Sequence, residues 1–198
     1  MRVPSRRLLW VPALGLIFLA AFSFPRPRTA SATPASRADS TTDPPLVDLA
    51  GYKDLVAKYR GKGVLATFWA TWCEPCRTEY PMIVSLSKEY GPQGLVVVGV
   101  SLDEDADMNL VRHFIAQAHP DFQNYRQRPG IDADAFYQGV NPDWRGTLPQ
   151  NDFYARDGHL ARYSVGEHPR DSFVQAIRLI LASPMSENRP NAPSPAGN

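Results

Sequence analysis

Two cysteines three positions apart, Cys73 and Cys76, follow the apolar run Val64-Leu65-Ala66-Thr67-Phe68-Trp69 and open a segment of helical character. They are the only cysteines in 198 residues. That scarcity excludes a disulfide-dense small scaffold and a four-thiolate zinc or iron–sulfur site. The apolar run suits a buried strand, since a strand covered on both faces loses polar–apolar alternation. A chain that leaves such a strand and enters a helix at Cys73 sets the first thiol at the helix N-terminus. Unpaired N–H groups and the positive helix end favour an anion there, which lowers the thiol pKa and raises the thiolate fraction. Cys76 lies one turn on, within reach of a mixed disulfide formed at Cys73. Pro75 costs little in the first turn, where its missing N–H needs no partner. Glu74 places a negative charge beside the pair and moderates the thiolate stabilisation.

Other uses of the pair fit less well. A disulfide closing so short a loop constrains the unfolded chain by roughly 2 kcal/mol or less. A zinc site needs two further ligands, and His113, His119, His159 and His168 show no metal-binding spacing. Covalent haem attachment needs histidine after the second cysteine, where Arg77 stands. The pair therefore reads as a redox-active dithiol that needs neither metal nor cofactor.

The ends of the chain do not read as domain. Arg2, Arg6 and Arg7 precede an apolar run from Leu8 to Phe24, and Ala30-Ser31-Ala32 follows as a small-residue site. Residues 1–32 thus read as an export segment, either a signal peptide cleaved after Ala32 or a retained membrane anchor. In both cases the remainder is expected outside the cytoplasm, in a periplasm or at the outer face of the membrane. Residues 33–45 read as a flexible spacer. Residues 184–198, rich in proline and asparagine, read as a disordered tail with little apolar surface to offset ordering. The folded unit is then 46–183. The export segment carries five arginines and no acid, so the formal charge of +1 becomes −4 without it. Nucleic acid is not an expected partner of such a chain.

Within 46–183 the pattern alternates. A short strand or turn and a helix are expected over Leu46–Tyr59, a strand over Val64–Trp69, and a helix from the cysteine pair to Tyr90 that Pro81 kinks. A second buried strand is expected over Leu95–Val100 and a helix over Asp105–Ala118. The segment 119–148 reads as irregular apart from a short helix over Asp132–Gln138. Phe153-Tyr154 and Leu160–Tyr163 flank the turn Arg156-Asp157-Gly158-His159 as a hairpin, and Asp171–Ala182 is a last amphipathic helix. Alternating strands and helices that end in a hairpin imply a three-layer α/β/α sandwich around a mixed sheet.

Phe68-Trp69-Ala70-Thr71-Trp72-Cys73-Glu74-Pro75-Cys76-Arg77-Thr78-Glu79-Tyr80-Pro81 resembles the active-site segment of the thioredoxin superfamily. The Cys-Glu-Pro-Cys form followed by Glu-Tyr-Pro is similar to its exported TlpA/ResA-like branch. The resemblance implies a thioredoxin-like fold, with Cys73 as exposed nucleophile and Cys76 as resolving thiol. It also implies that Glu79 tunes the pair; by spacing alone Glu79 shares a helix face with Cys76 or is an ordinary solvated glutamate. Leu148-Pro149 resembles the family's cis-proline dipeptide, which implies that Trp72, Leu148 and Pro149 line the substrate. Three features depart from the family. Thr67 stands where thioredoxins bury an aspartate, and Gln150-Asn151-Asp152 replace the usual strand residues after the proline. Upstream, Asn141-Pro142-Asp143-Trp144-Arg145-Gly146 either shapes a partner surface or buries Trp144 in the core.

The expected activity is thiol–disulfide exchange in the cell envelope, reducing protein disulfides, with maturation of c-type cytochromes among the roles that the resemblance implies. The expected partners are disulfide-bearing exported proteins and a membrane-embedded electron donor such as a thiol–disulfide transporter. A dithiol oxidase, a thiol peroxidase and an envelope copper chaperone using both thiols with His159 or His168 are the alternatives.

Overall fold

The computed structural model describes residues 43–184, so the export segment, most of the spacer and nearly all of the tail lie outside the described residues. Strand β1 (Leu46–Val47) leads into helix α1 (Leu49–Lys58). Asp48 starts that helix, its carboxylate accepting the Gly51 N–H at 2.9 Å. Next come β2 (Gly63–Trp69), α2 (Glu74–Tyr90) and β3 (Leu95–Ser101). A single 3-10 turn at Asp105–Asp107 precedes α3 (Met108–Ala118), followed by β4 (Gln123–Gln127) and α4 (Ala133–Val140). The chain closes with the hairpin β5 (Gln150–Tyr154) and β6 (Leu160–Val165) and with α5 (Arg170–Ala182).

The strands form one mixed sheet in the order β1-β4-β3-β2-β5-β6. The first four are parallel; β5 runs antiparallel to β2, and β6 antiparallel to β5. All seven residues of β2 are buried, the signature of a central strand with helices over both faces. Leu65 and Trp69 face one core, shared with Ile83 of α2, Val111 of α3 and Ile177 of α5. Val64, Ala66 and Phe68 face the other, with Tyr52 of α1 and Phe136 of α4. The result is a thioredoxin-like α/β/α sandwich.

One expectation needs correction, and one open alternative is decided. The segment read as irregular contains β4, whose sequence Gln-Asn-Tyr-Arg-Gln shows no apolar run. It lies between β1 and β3, and one oxygen of Asn124 and one nitrogen of Arg126 find partners there, while Asn124 Nδ2 and Arg126 Nε and Nη1 have none among the described residues. Asn124 lies opposite Gly99 in the pairing with β3 and takes the space that glycine leaves: a Cβ at Gly99 would sit 2.1 Å from Asn124 Oδ1. That oxygen accepts from Tyr80 OH at 2.9 Å and from Trp69 Nε1 at 3.3 Å, and buried Arg126 pairs with Asp105 at 2.6 Å. Of the two readings left open for segment 141–146, the structure takes the second, and Trp144 is core. Its ring centre lies 4.5 Å from those of both Phe68 and Tyr137, and its Nε1 donates to Thr147 O at 2.9 Å.

The polar start of β5 is wholly buried, and its three residues divide between the faces. Asn151 points to the α2 side, paired with Thr67 of β2. Gln150 and Asp152 point to the α1/α4 side, where the Asp152 carboxyl accepts from Gln150 Nε2 and from Asn141 Nδ2. Burial pushes the Asp152 pKa up to about 6. Its unfolded value is about 3.9, so the folded state holds the extra proton between those values and stability falls as pH rises through that window. Asp152→Asn should remove this dependence. Urea unfolding at pH 4 and pH 7.5 should show the variant gaining on the wild type by up to about 3 kcal/mol between the two pH values. An equal pH response in both proteins would show that Asp152 ionises freely.

Candidate active site

Cys73 caps α2. Its backbone is extended, and its Sγ accepts the Cys76 N–H at 3.3 Å, so the sulfur occupies the place where an N-cap oxygen usually sits. The two cysteines are joined as a disulfide with Cα atoms 5.3 Å apart. Both are buried: Cys73 is 6 % exposed and Cys76 3 %. The expected exposed nucleophile is thus only marginally more open than its partner, and the large exposed group beside it is Trp72 at 65 %. Glu74 and Pro75 lie exposed in the first turn, where an acid gains from the helix dipole.

The loop between β2 and Cys73 is held from the end of β3. Asp103, itself buried, accepts the Thr71 N–H with both carboxylate oxygens at 3.0 and 3.1 Å, and the Thr71 hydroxyl also donates to it. Ser101 Oγ donates to the same carboxylate at 2.7 Å, and Leu102 N–H donates to Trp69 O at 2.8 Å. These bonds fix the segment that carries Trp72 and Cys73. Asp103 was not singled out in the sequence. Its signal was position: a polar residue just past the C-terminal end of a central strand, the edge where open α/β sheets build their sites.

Glu79 is not a solvated helix residue. It is 3 % exposed, one turn beyond Cys76 on the buried face of α2. Asn151 Nδ2 donates to its Oε1 at 2.8 Å, and the His168 N–H donates to its Oε2 at 3.0 Å. Burial raises the Glu79 pKa, against the pull of those two bonds. In the sequence Asn151 shows only as a departure from the family and His168 only as a candidate metal ligand; neither can be matched to Glu79 without the strand register.

The Leu148-Pro149 peptide bond is cis. Because Gln150 pairs with Phe68, Pro149 sits beside the end of β2, at the edge from which Cys73 emerges. Gly166 N–H donates to Pro149 O at 2.8 Å and ties the dipeptide to the end of β6. His159 lies in the turn at the opposite end of the hairpin, bonded to Asp157, and is not brought to the thiols.

A protein-family model described as the AhpC/TSA family matches residues 39–157. The chain belongs to that family. The chain is 34 % identical over 177 residues to the thiol-disulfide oxidoreductase ResA of Geobacillus thermodenitrificans, covering 87 % of this chain and 91 % of the relative. ResA of Bacillus thuringiensis is 28 % identical over 135 residues, 68 % of this chain and 73 % of that one. A thiol:disulfide interchange protein of the thioredoxin family from Chlorobium tepidum superposes with a TM-score of 0.56 at 21 % identity, over 71 % of this chain and 98 % of that one, and so shares the fold. This member of the AhpC/TSA family is a thiol–disulfide oxidoreductase whose redox centre is the Cys73–Cys76 pair.

Asp103→Ala leaves the Thr71 N–H without its partner. It should lower the unfolding free energy of the oxidised protein by about 2–4 kcal/mol in urea titrations, the range for a buried charge-assisted network. A change under about 0.5 kcal/mol would show that water replaces the carboxylate at no cost.

Proposed function

We propose that this chain reduces disulfides in exported proteins on the outer side of the cytoplasmic membrane, with maturation of c-type cytochromes as its role. The observation that carries this reading is Cys73 Sγ held at the N-terminus of α2 by the Cys76 amide, a position that stabilises the thiolate once the pair is reduced. Residues 1–32 act as export segment or anchor, 33–45 as spacer, 46–183 as the thioredoxin-like redox domain and 184–198 as its tail. Among the described residues no helix is long and apolar enough to cross a membrane.

In the reducing half-reaction the Cys73 thiolate attacks one sulfur of the substrate disulfide. A Cys73–substrate disulfide forms, and the other substrate sulfur leaves as a thiolate that takes a proton from water. Cys76 then gives its proton to the Glu79 carboxylate and attacks Cys73 Sγ. The internal disulfide forms, the second substrate sulfur is released and protonated, and two electrons have passed from the pair to the substrate. A membrane-embedded dithiol donor restores the reduced pair. Trp72, Leu148 and the cis-Pro149 backbone flank the attacked sulfur, with the Leu148 backbone available to an extended substrate segment. Glu74 and Pro75 shape the turn between the thiols.

The same residues run backwards in an oxidase, and the reduction potential separates the directions: a value near about −120 mV would mark an oxidant. A peroxidase reading finds no separate peroxidatic thiol, since both cysteines of the sequence are in the pair.

Trapping in cells tests the proposal. Cys76→Ala should accumulate mixed disulfides with exported proteins, including apocytochromes bearing Cys-x-x-Cys-His segments. Cys73→Ala and the double variant should accumulate none. Adducts that persist without Cys73 would assign the nucleophile to Cys76.

A further inference from the structure

Glu79 is buried by three elements. On its own helix Cys76 precedes it by one turn; from β5 comes Asn151, which stands opposite Thr67 of β2; and from the loop between β6 and α5 come Glu167 and His168. His168 and Glu167 add opposed charges at a distance, and the direct polar contacts on the carboxyl are the Asn151 amide and the His168 N–H. Asn151 is wholly buried, and its own side-chain oxygen has no hydrogen-bond partner among the described residues. An asparagine buried at such cost for a single side-chain bond to Glu79 is poorly explained by stability, because an unpaired buried carbonyl costs about as much as one bond returns.

We propose that Asn151 is a positioning residue for the dithiol: its amide holds Glu79 in the ionisable arrangement one turn from Cys76, and so sets the pH at which Cys76 can close the internal disulfide. The two partners of Glu79 are not equivalent. A backbone N–H can only donate. A side-chain amide can donate to the carboxylate or, turned over, accept from the carboxylic acid, so it satisfies Glu79 before and after the Cys76 proton arrives. Donation to the charged form is the stronger of the two bonds. Removing the amide therefore leaves burial less opposed and keeps Glu79 protonated to higher pH, where it cannot take the Cys76 proton.

This inference rests on the dithiol exchange proposed above, and one experiment separates the two. The reduced full chain is mixed with 5,5′-dithiobis(2-nitrobenzoate) in a stopped-flow instrument across pH 5–9. Attack by Cys73 releases the first nitrothiobenzoate, and attack by Cys76 on the resulting mixed disulfide releases the second. In Asn151→Ala the second phase should be about tenfold slower at pH 7 and approach the wild-type rate as pH rises. Asn151→Asp, which keeps the volume should the alanine variant fold poorly, should displace the profile further, since two carboxyls then share one site. In a Glu79→Gln background Asn151→Ala should leave the second phase unmoved. A normal first phase with an unshifted second-phase profile in both Asn151 variants overturns the role of Asn151, as does a shift that persists without Glu79. Absence of the first phase in the wild type overturns dithiol exchange itself, and this proposal with it.

Discussion

Burial of β2 along its whole length is the constraint from which the site follows. A strand covered on both faces and paired on both edges has no freedom in direction or register, so the residue after Trp69 leaves the sheet at one defined place. The parallel neighbour β3 ends at that same edge and delivers Asp103 to the departing loop. The antiparallel neighbour β5 instead begins there, which is why its first residues, and not its last, meet the dithiol helix. Had β5 been parallel, Pro149 and Asn151 would lie at the far side of the molecule.

What could be read from the sequence was whatever apolar periodicity or local chemistry expresses. The buried strands β2 and β3, the helices, the hairpin and the Cys73–Cys76 centre all announce themselves in runs of a few residues. β4 does not, because its burial is justified by Asn124 fitting over Gly99 and meeting Trp69 and Tyr80, and those partners are far away in sequence. Glu79 shows the same limit. Spacing allows either a solvated glutamate or one that shares the Cys76 face, and its burial is decided by Asn151 and His168, 72 and 89 residues downstream. Trp144 was undecided for want of a register that would bring it to Phe68. Long-range polar pairing leaves no trace in local pattern, and this site is built largely from it.

The sheet carries buried polar groups on both faces, and they behave differently. On the α1/α4 side Asp152 sits among Gln150 and Asn141, across the sheet from α2, and its burial is a cost that varies with pH. On the α2 side Asn124 binds β4 to the floor beneath the redox helix, and Asn151 joins β5 to the helix itself. Neighbouring residues of one strand, pointing in opposite directions, thus separate a burden on stability from a link to chemistry.

One contact in that link comes from main chain. Glu79 Oε2 is met by the amide of His168 and not by its imidazole. Position 168 can therefore exchange one side chain for another and still deliver the same hydrogen bond, proline excepted, since it has no N–H to give. What the contact does register is the count of residues between β6 and α5. Inserting or deleting one there would turn the amide away from the carboxyl without touching a single side chain of the site.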